Sequence, residues 1–226
     1  KGNDNDHAFF YVNDFSVEGG EPKQFTMLAI SPDVDYDAVT LFVDMGRTPA
    51  GAAVEVTGIT FQEHATISYD IYGERNLWKS GSINPVFWFA NSGWGQISDP
   101  EYEMLDGNGI SLVIPEEIGG NEWQGQTQLQ TDIPASASKR YDFALTLKSS
   151  ADATFTIKLA WKGNDNDHAF FYVNDFSVEA DEPAVFRRPA ISPDEDYDAI
   201  TLFVDMGRTP AGAAVELTDI CFQEHK

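Results

Sequence analysis

DFALTLKSSADATFTIKL, residues 142–159, holds two runs of alternating apolar and polar side chains around a short polar break. In the first, Phe143, Leu145 and Leu147 fall on one side; in the second, Phe155, Ile157 and Leu159 do. A period of two is that of a half-buried strand, and SSADA between the runs is turn chemistry, so the stretch predicts two consecutive antiparallel strands. The same pattern continues outward. Ile110–Ile114, Gln124–Gln130, Ala169–Val173, Ala199–Asp205 and Ala214–Phe222 read as further strands, divided by LDGNG, KGNDND, ISPDED and GRTPAGA. No window keeps apolar residues at helical spacing for three turns. The chain is therefore expected to be all-β, an antiparallel β-sandwich jelly roll of about 150 residues per domain.

A long repeat sets the domain organisation. Lys1–His64 aligns with Lys162–His225, the two differing at twelve of 64 positions, among them Gly19/Ala180, Gly58/Asp219 and Thr60/Cys221. Its period of 161 residues is the size of a whole domain, far longer than a solenoid repeat. The reading is a complete module over residues 76–226, a linker over 66–75, and in 1–65 the C-terminal half of a preceding near-identical module. That surplus half has no first half of its own. It is expected to be ordered by packing on a complementary half, most simply from a neighbouring molecule by strand or half-domain exchange between chains, or from a missing fragment.

Composition narrows the partners. A formal charge of −23 over 226 residues repels phosphate backbones and anionic lipid, so neither nucleic acid nor a membrane is an expected partner. Hydrophobic residues at 42%, with 13% aromatics, are enough for a packed core. The single cysteine, Cys221, stands where the first copy has Thr60 and reads as a small packed side chain, not a nucleophile.

Two segments point to a ligand. In WQGQTQLQT, residues 123–131, an uninterrupted strand would put Gln124, Gln126, Gln128 and Gln130 on one face. Four amides are a poor core and a good hydrogen-bonding comb. Trp123 adds an aromatic platform, and the pairing suits a pyranose, whose C–H face stacks on indole while its hydroxyls need polar partners. Strict alternation puts Trp123 opposite the comb, so it joins only through a bulge or twist near Gly125. The second segment, NPVFWFANSGWGQI at residues 84–97, gathers Phe87, Trp88, Phe89 and Trp94. Alternation sets Phe87 and Phe89 against Trp88, leaving part of the set for the core. Trp94, between Gly93 and Gly95, is a ring in a turn that needs something to cover it.

NEWQGQTQLQTDIPASASKRYDFALTLKSSADATFTIKL and TLFVDMGRTPAGAAVELTDICFQE together resemble the family-4/9/22 group of carbohydrate-binding modules. NLWKSGSINPVFWFANSGWGQISDPEYE is similar, more narrowly, to the tandem modules inserted in family-10 xylanases of gut Bacteroidetes. The resemblance implies a jelly roll that binds one β-linked glycan chain, xylan first, and is joined covalently to a catalytic domain in a secreted or cell-surface protein. Residue by residue it implies Trp123 and Gln126 as sugar contacts, Trp94 and Gln96 as a second platform, and an aromatic from His168–Val173. For that last contact His168 and Tyr172 are the candidates. It also implies a structural calcium at Asp219, although Gly58 takes that place in the first copy.

Other classes stay in view. The acidic runs at residues 164–167 and 194–198 read as solvated turns, lacking the glycine and distal glutamate of a helix-loop-helix calcium site. A jelly-roll glycoside hydrolase needs two carboxylates facing one cleft, and no such strand pattern stands out. A spacer sandwich without ligand is the other alternative, set apart from the binding reading by Trp94, Trp123 and the glutamines.

Overall fold

In the computed structural model, which describes residues 12, 15–25, 39–61, 67–161 and 169–226, the chain divides into two units, Lys1–Thr66 and Ile67–Lys226. The second unit is a two-sheet antiparallel sandwich. Its strands are β1 (Ile83–Phe89), β2 (Tyr102–Leu105), β3 (Gly109–Val113), β4 (Gly125–Thr131), β5 (Tyr141–Ser149), β6 (Ala153–Trp161), β7 (Ala169–Val178), β8 (Ala184–Ile191), β9 (Ile200–Asp205) and β10 (Ala214–Glu224). One sheet runs β1-β4-β9-β6-β7, the other β2-β3-β10-β5-β8. From β3 onward successive strands alternate between the sheets except at the β6–β7 hairpin, which stays in one sheet; this is the order of a double Greek-key jelly roll, with β1 and β2 added at one edge of each.

Alternation explains the core. Phe89, Leu129, Phe155, Ile157, Leu159, Leu202 and Val204 face inward from the first sheet and are buried. Phe143, Leu145, Leu147, Val215, Leu217 and Phe222 meet them from the second. The two runs that suggested a sandwich, in residues 142–159, thus become β5 and β6, one in each sheet. Cys221 is on the opposite face of β10 from Phe222, fully covered and donating to Gln223 Oε1, and burial pushes its thiol up to about 12, in keeping with a packing role.

Residues 67–76, placed in or beside the expected linker, fasten to the last strand. Asp70 N–H donates to Gln223 Oε1, and Gln223 Nε2 donates to Ser68 O. Asn76, almost fully buried, donates to Ile220 O and accepts from Phe222 N–H, while also capping the short helix α1 (Leu77–Ser80) through Trp78 N–H. The start and the end of this unit therefore close on each other.

In the Lys1–Thr66 unit, the described residues form turns but no strand, and their side chains are exposed. Among the described residues no helix is long and apolar enough to cross a membrane.

Candidate functional site

The outer face of the β1-β4-β9-β6-β7 sheet carries the polar comb, with corrections to its membership. β4 starts at Gly125, and Glu122–Gln124 form a 3-10 turn before it. Gln124 is therefore not on the sheet face. Its amide is buried, donating to Asn91 O and accepting from Asn121 N–H and Asn121 Nδ2, which closes a capping box. Gln126, Gln128 and Gln130 remain on the outer side, with Thr127 and Leu129 turned into the core. Trp123 sits in the turn, so the alternation that would have sent it to the core side does not apply.

Strand registers assemble a floor from residues far apart in sequence. Trp88 pairs with Gln126, Gln126 with Asp205, and Asp205 with Thr156. In the next row Gln128 pairs with Phe203, Phe203 with Lys158, and Lys158 with Tyr172. Residues opposite one another in such registers share a face. Gln128 Nε2 donates to Gln126 Oε1 at 2.7 Å, and Gln126 Nε2 donates to Asp205 Oδ1 at 2.8 Å. Lys158 Nζ stands 2.5 Å from Asp205 Oδ2, a charge contact out of hydrogen-bonding line, and 5.7 Å from the centre of the Tyr172 ring. Burial holds the Asp205 carboxyl above its ordinary range; Lys158, then Gln126, pull it back down. The floor is a fixed polar network with its charges internally matched.

Aromatic rings stand at either side of this floor. Trp88, on edge strand β1, is 39% exposed, and Tyr172, on the opposite edge strand β7, is 49% exposed. Five strands lie from one edge to the other, so the face spans about 19 Å at the usual spacing of neighbouring strands. Sequence reasoning had separated Trp88 from Phe87 and Phe89 without giving it a role. The alternation separated the two faces without saying which was core; the β1–β4 pairing settles that and shows what lies beside Trp88. Lys158 and Asp205 were missed too, because each alone looks like an ordinary polar residue in a strand.

Trp94 and Trp123 come together beyond the Trp88–Gln126 end of the sheet. Their ring centres are 4.5 Å apart at an interplanar angle of 48°, so they form one two-ring platform instead of two separate ones. Trp94 is 70% exposed with φ at 69°, a left-handed backbone that is unusual for a bulky residue. The Asn91 side chain holds that loop, accepting from Gly93 N–H and Gly95 N–H. Gln96 is exposed in the same loop and bridges Ala90 through its backbone.

The Trp123 turn is clamped from below. Gly207 N–H donates to Glu122 O, and a Cβ on Gly207 would stand 1.9 Å from Asn121 O, so only glycine fits there. Arg208 then reaches Glu122 with one nitrogen and Asp175 on β7 with another, both at 2.8 Å. Of the two candidates His168 and Tyr172, Tyr172 is on β7 and lies on the site face; His168 falls outside the described residues. Phe170 stacks on Tyr197 at 5.3 Å, and Phe171 is buried, so neither belongs to the face.

Asp219, the calcium candidate, is held by protein partners. It sits at a break in the β10–β5 register with φ at 50°; one carboxylate oxygen accepts from the Tyr72 hydroxyl and the other from Thr146 Oγ1. Among the described residues no cluster of three acidic, histidine or cysteine side chains surrounds it.

No protein-family model matches the sequence, and no curated protein matches it. Solved structures do. The chain is similar to a carbohydrate-binding module of type CBM4 at 13% identity, over 62% of this chain and 86% of that one, with a TM-score of 0.46. It is similar to the second N-terminal cellulose-binding domain of a Cellulomonas fimi β-1,4-glucanase at 14% identity, over 63% and 86%, with a TM-score of 0.42. It is also similar to a CBM22 xylan-binding domain from Paenibacillus barcinonensis at 14% identity, over 65% and 96%, with a TM-score of 0.38.

Proposed function

We propose that the Ile67–Lys226 unit is a non-catalytic carbohydrate-binding module that holds a β-linked glycan chain across the outer face of the β1-β4-β9-β6-β7 sheet. One observation carries the reading: half-exposed Trp88 and Tyr172 flank a floor of Gln126, Gln128, Lys158 and Asp205. Rings at the sides suit the apolar faces of sugar residues, and the partly exposed Gln128 amide between them suits a hydroxyl, held in place by the buried Gln126, Lys158 and Asp205. Trp94, Trp123 and Gln96 extend that surface at one end, giving it more length than a single sugar occupies. Xylan is the leading ligand, and other soluble β-glucans are the main competitors.

The floor argues for binding over bond cleavage. Asp205 is tied by Lys158 and Gln126, so it is not placed to exchange protons with a glycosidic oxygen, and two-carboxylate hydrolysis needs a second acid facing it. In a longer protein such a module would raise the local concentration of a tethered glycoside hydrolase on its polysaccharide, in a secreted or cell-surface setting. Calorimetry and affinity electrophoresis with xylan, xyloglucan, mixed-linkage glucan and mannan test the proposal. Retardation by xylan that Trp88→Ala and Tyr172→Ala both weaken supports it. No binding to any of the four, or binding untouched by both substitutions, refutes it.

A further inference from the structure

The two copies of the repeat have the same turns and opposite exposure. In the Lys1–Thr66 unit, Glu21 N–H donates to Glu18 O, Thr48 N–H to Met45 O, and Ala52 N–H to Pro49 O; in the other copy Glu182, Thr209 and Ala213 make the equivalent bonds to Glu179, Met206 and Pro210. Backbone geometry repeats as well. Gly20, Gly51 and Gly58 have φ of 83°, 82° and 62°, and their counterparts Asp181, Gly212 and Asp219 have 63°, 73° and 50°. Even the left-handed residue that interrupts β10 is thus already formed in the first copy.

What differs is the strands. Leu202, Phe203, Val204, Met206, Val215, Ile220 and Phe222 are buried in β9, β10 and the loop between them, while the identical residues Leu41, Phe42, Val43, Met45, Val54, Ile59 and Phe61 are between 48% and 69% exposed. The cause is visible in the registers. β9 lies between β4 and β6, and β10 lies between β3 and β5, so each needs two neighbours from residues 67–161. In Ile67–Lys226 those places are filled by the second copy. Gly207 makes the same point: it presses on the backbone of Asn121 and Glu122, whereas its counterpart Gly46 has nothing within 4 Å.

We propose that the Lys1–Thr66 unit is a second half-sandwich with its turns formed and its strands unpaired, whose docking partner is a polypeptide of the 67–161 type, supplied from outside residues 1–226. A second copy of the same chain does not meet the need. Each chain carries one such first half and two second halves, so any exchange among identical chains leaves one second half over per chain. The chemistry demanded of the partner is specific. It must present strands equivalent to β3, β4, β5 and β6, a backbone that receives Gly46, and a lysine with a glutamine to meet Asp44, as Lys158 and Gln126 meet Asp205.

The test compares chain 1–226 with the same chain extended at its N-terminus by a further copy of residues 67–161, using hydrogen exchange read by mass spectrometry. The copies are distinguishable because Val39 replaces Ile200 and Val56 replaces Leu217. In 1–226, amides of residues 39–45 and 54–61 should exchange freely while those of 200–205 and 214–224 are protected. In the extended chain the first set should slow by about 100-fold or more, the behaviour of a strand newly paired within a cooperative unit. Val43→Asp in the extended chain should abolish that gain and leave 200–205 protected. The proposal is overturned by any of three results: no slowing in the extended chain; protection of 39–45 already present in 1–226, as monomer or dimer by light scattering; or slowing that survives Val43→Asp.

Discussion

Replacing Lys158 by methionine leaves the Asp205 carboxylate in the middle of a sheet without its cation. The pair is 2.5 Å apart, with side chains 9% and 1% exposed, so solvent screens neither charge well. Removing one partner of a buried pair costs about 3–5 kcal/mol, chiefly because the survivor stays desolvated. For a unit of this size each kcal/mol lowers the melting midpoint by roughly 2–4 °C, so Lys158→Met should melt about 6–20 °C below the parent at pH 7. Acid should reverse much of this. Burial already raises the Asp205 carboxyl above its unfolded value, and loss of Lys158 removes the largest influence that lowers it. A group whose folded pKa exceeds its unfolded pKa takes up its proton first in the folded protein. Its stabilising contribution is complete below the unfolded value and fades as pH rises through the folded one. The variant should therefore close much of the gap to the parent between pH 7 and pH 4.5, and adding Asp205→Asn should restore most of the midpoint at pH 7. Circular dichroism melts of the three proteins across this range are the measurement. A Lys158→Met midpoint within 2 °C of the parent at pH 7, or a deficit that does not shrink in acid, refutes the buried-pair account.

Further outcomes follow from the same face. Trp88→Ala and Tyr172→Ala should each weaken xylan binding by about 1–3 kcal/mol in calorimetry, the usual contribution of a stacked ring, with the sandwich still folded. Gln126→Ala should lower glycan affinity by about 1–2 kcal/mol and also lower stability by a similar amount, since its amide is buried and bonded to both Gln128 and Asp205; unchanged melting would mean the network is not structural. Gly207→Ala should cost about 1–3 kcal/mol in denaturant unfolding and loosen binding, because the added methyl displaces the turn that carries Trp123.

Sequence made the six central strands and the edge strand β7 legible and the other three edges obscure. β3, β4, β5, β6, β9 and β10 lie within the sheets, apart from one another only in register, and their alternation is strong because one face of each meets the core. β1, β2 and β8 were not marked out as strands, and all three lie at sheet edges. Their sequences show why: β1 contains Pro85, β8 contains Arg187, Arg188 and Pro189, and β2 is four mostly exposed residues. Edge strands tolerate proline and charge because one side of their backbone has no partner, and those residues break the pattern that a strand is read from. The site was half legible for the same reason. Gln126 and the exposure of Trp94 followed from local pattern and Tyr172 only from the family resemblance, whereas Trp88, Lys158 and Asp205 acquire meaning only across β1, β4, β9 and β6.

The duplicated segment separates these two kinds of information within one molecule. Hydrogen-bonded turns such as Met45 to Thr48 form in both copies, because the residues that make them are adjacent and pay little loop-closure entropy. Strand pairing is different. Val204 is buried and Val43 is half exposed although both sit in TLFVDMGRTPAGAAVE, so the identity of the segment does not decide its secondary structure. The deciding factor is whether strands from residues 67–161 are there to pair with, which is a non-local fact. The same logic covers the face proposed to bind glycan: its floor joins β4, β6 and β9, so a second half alone holds Asp44 but neither the lysine nor the glutamine that would complete it. Binding capacity in a tandem array of this kind should therefore count completed sandwiches, not copies of the repeat.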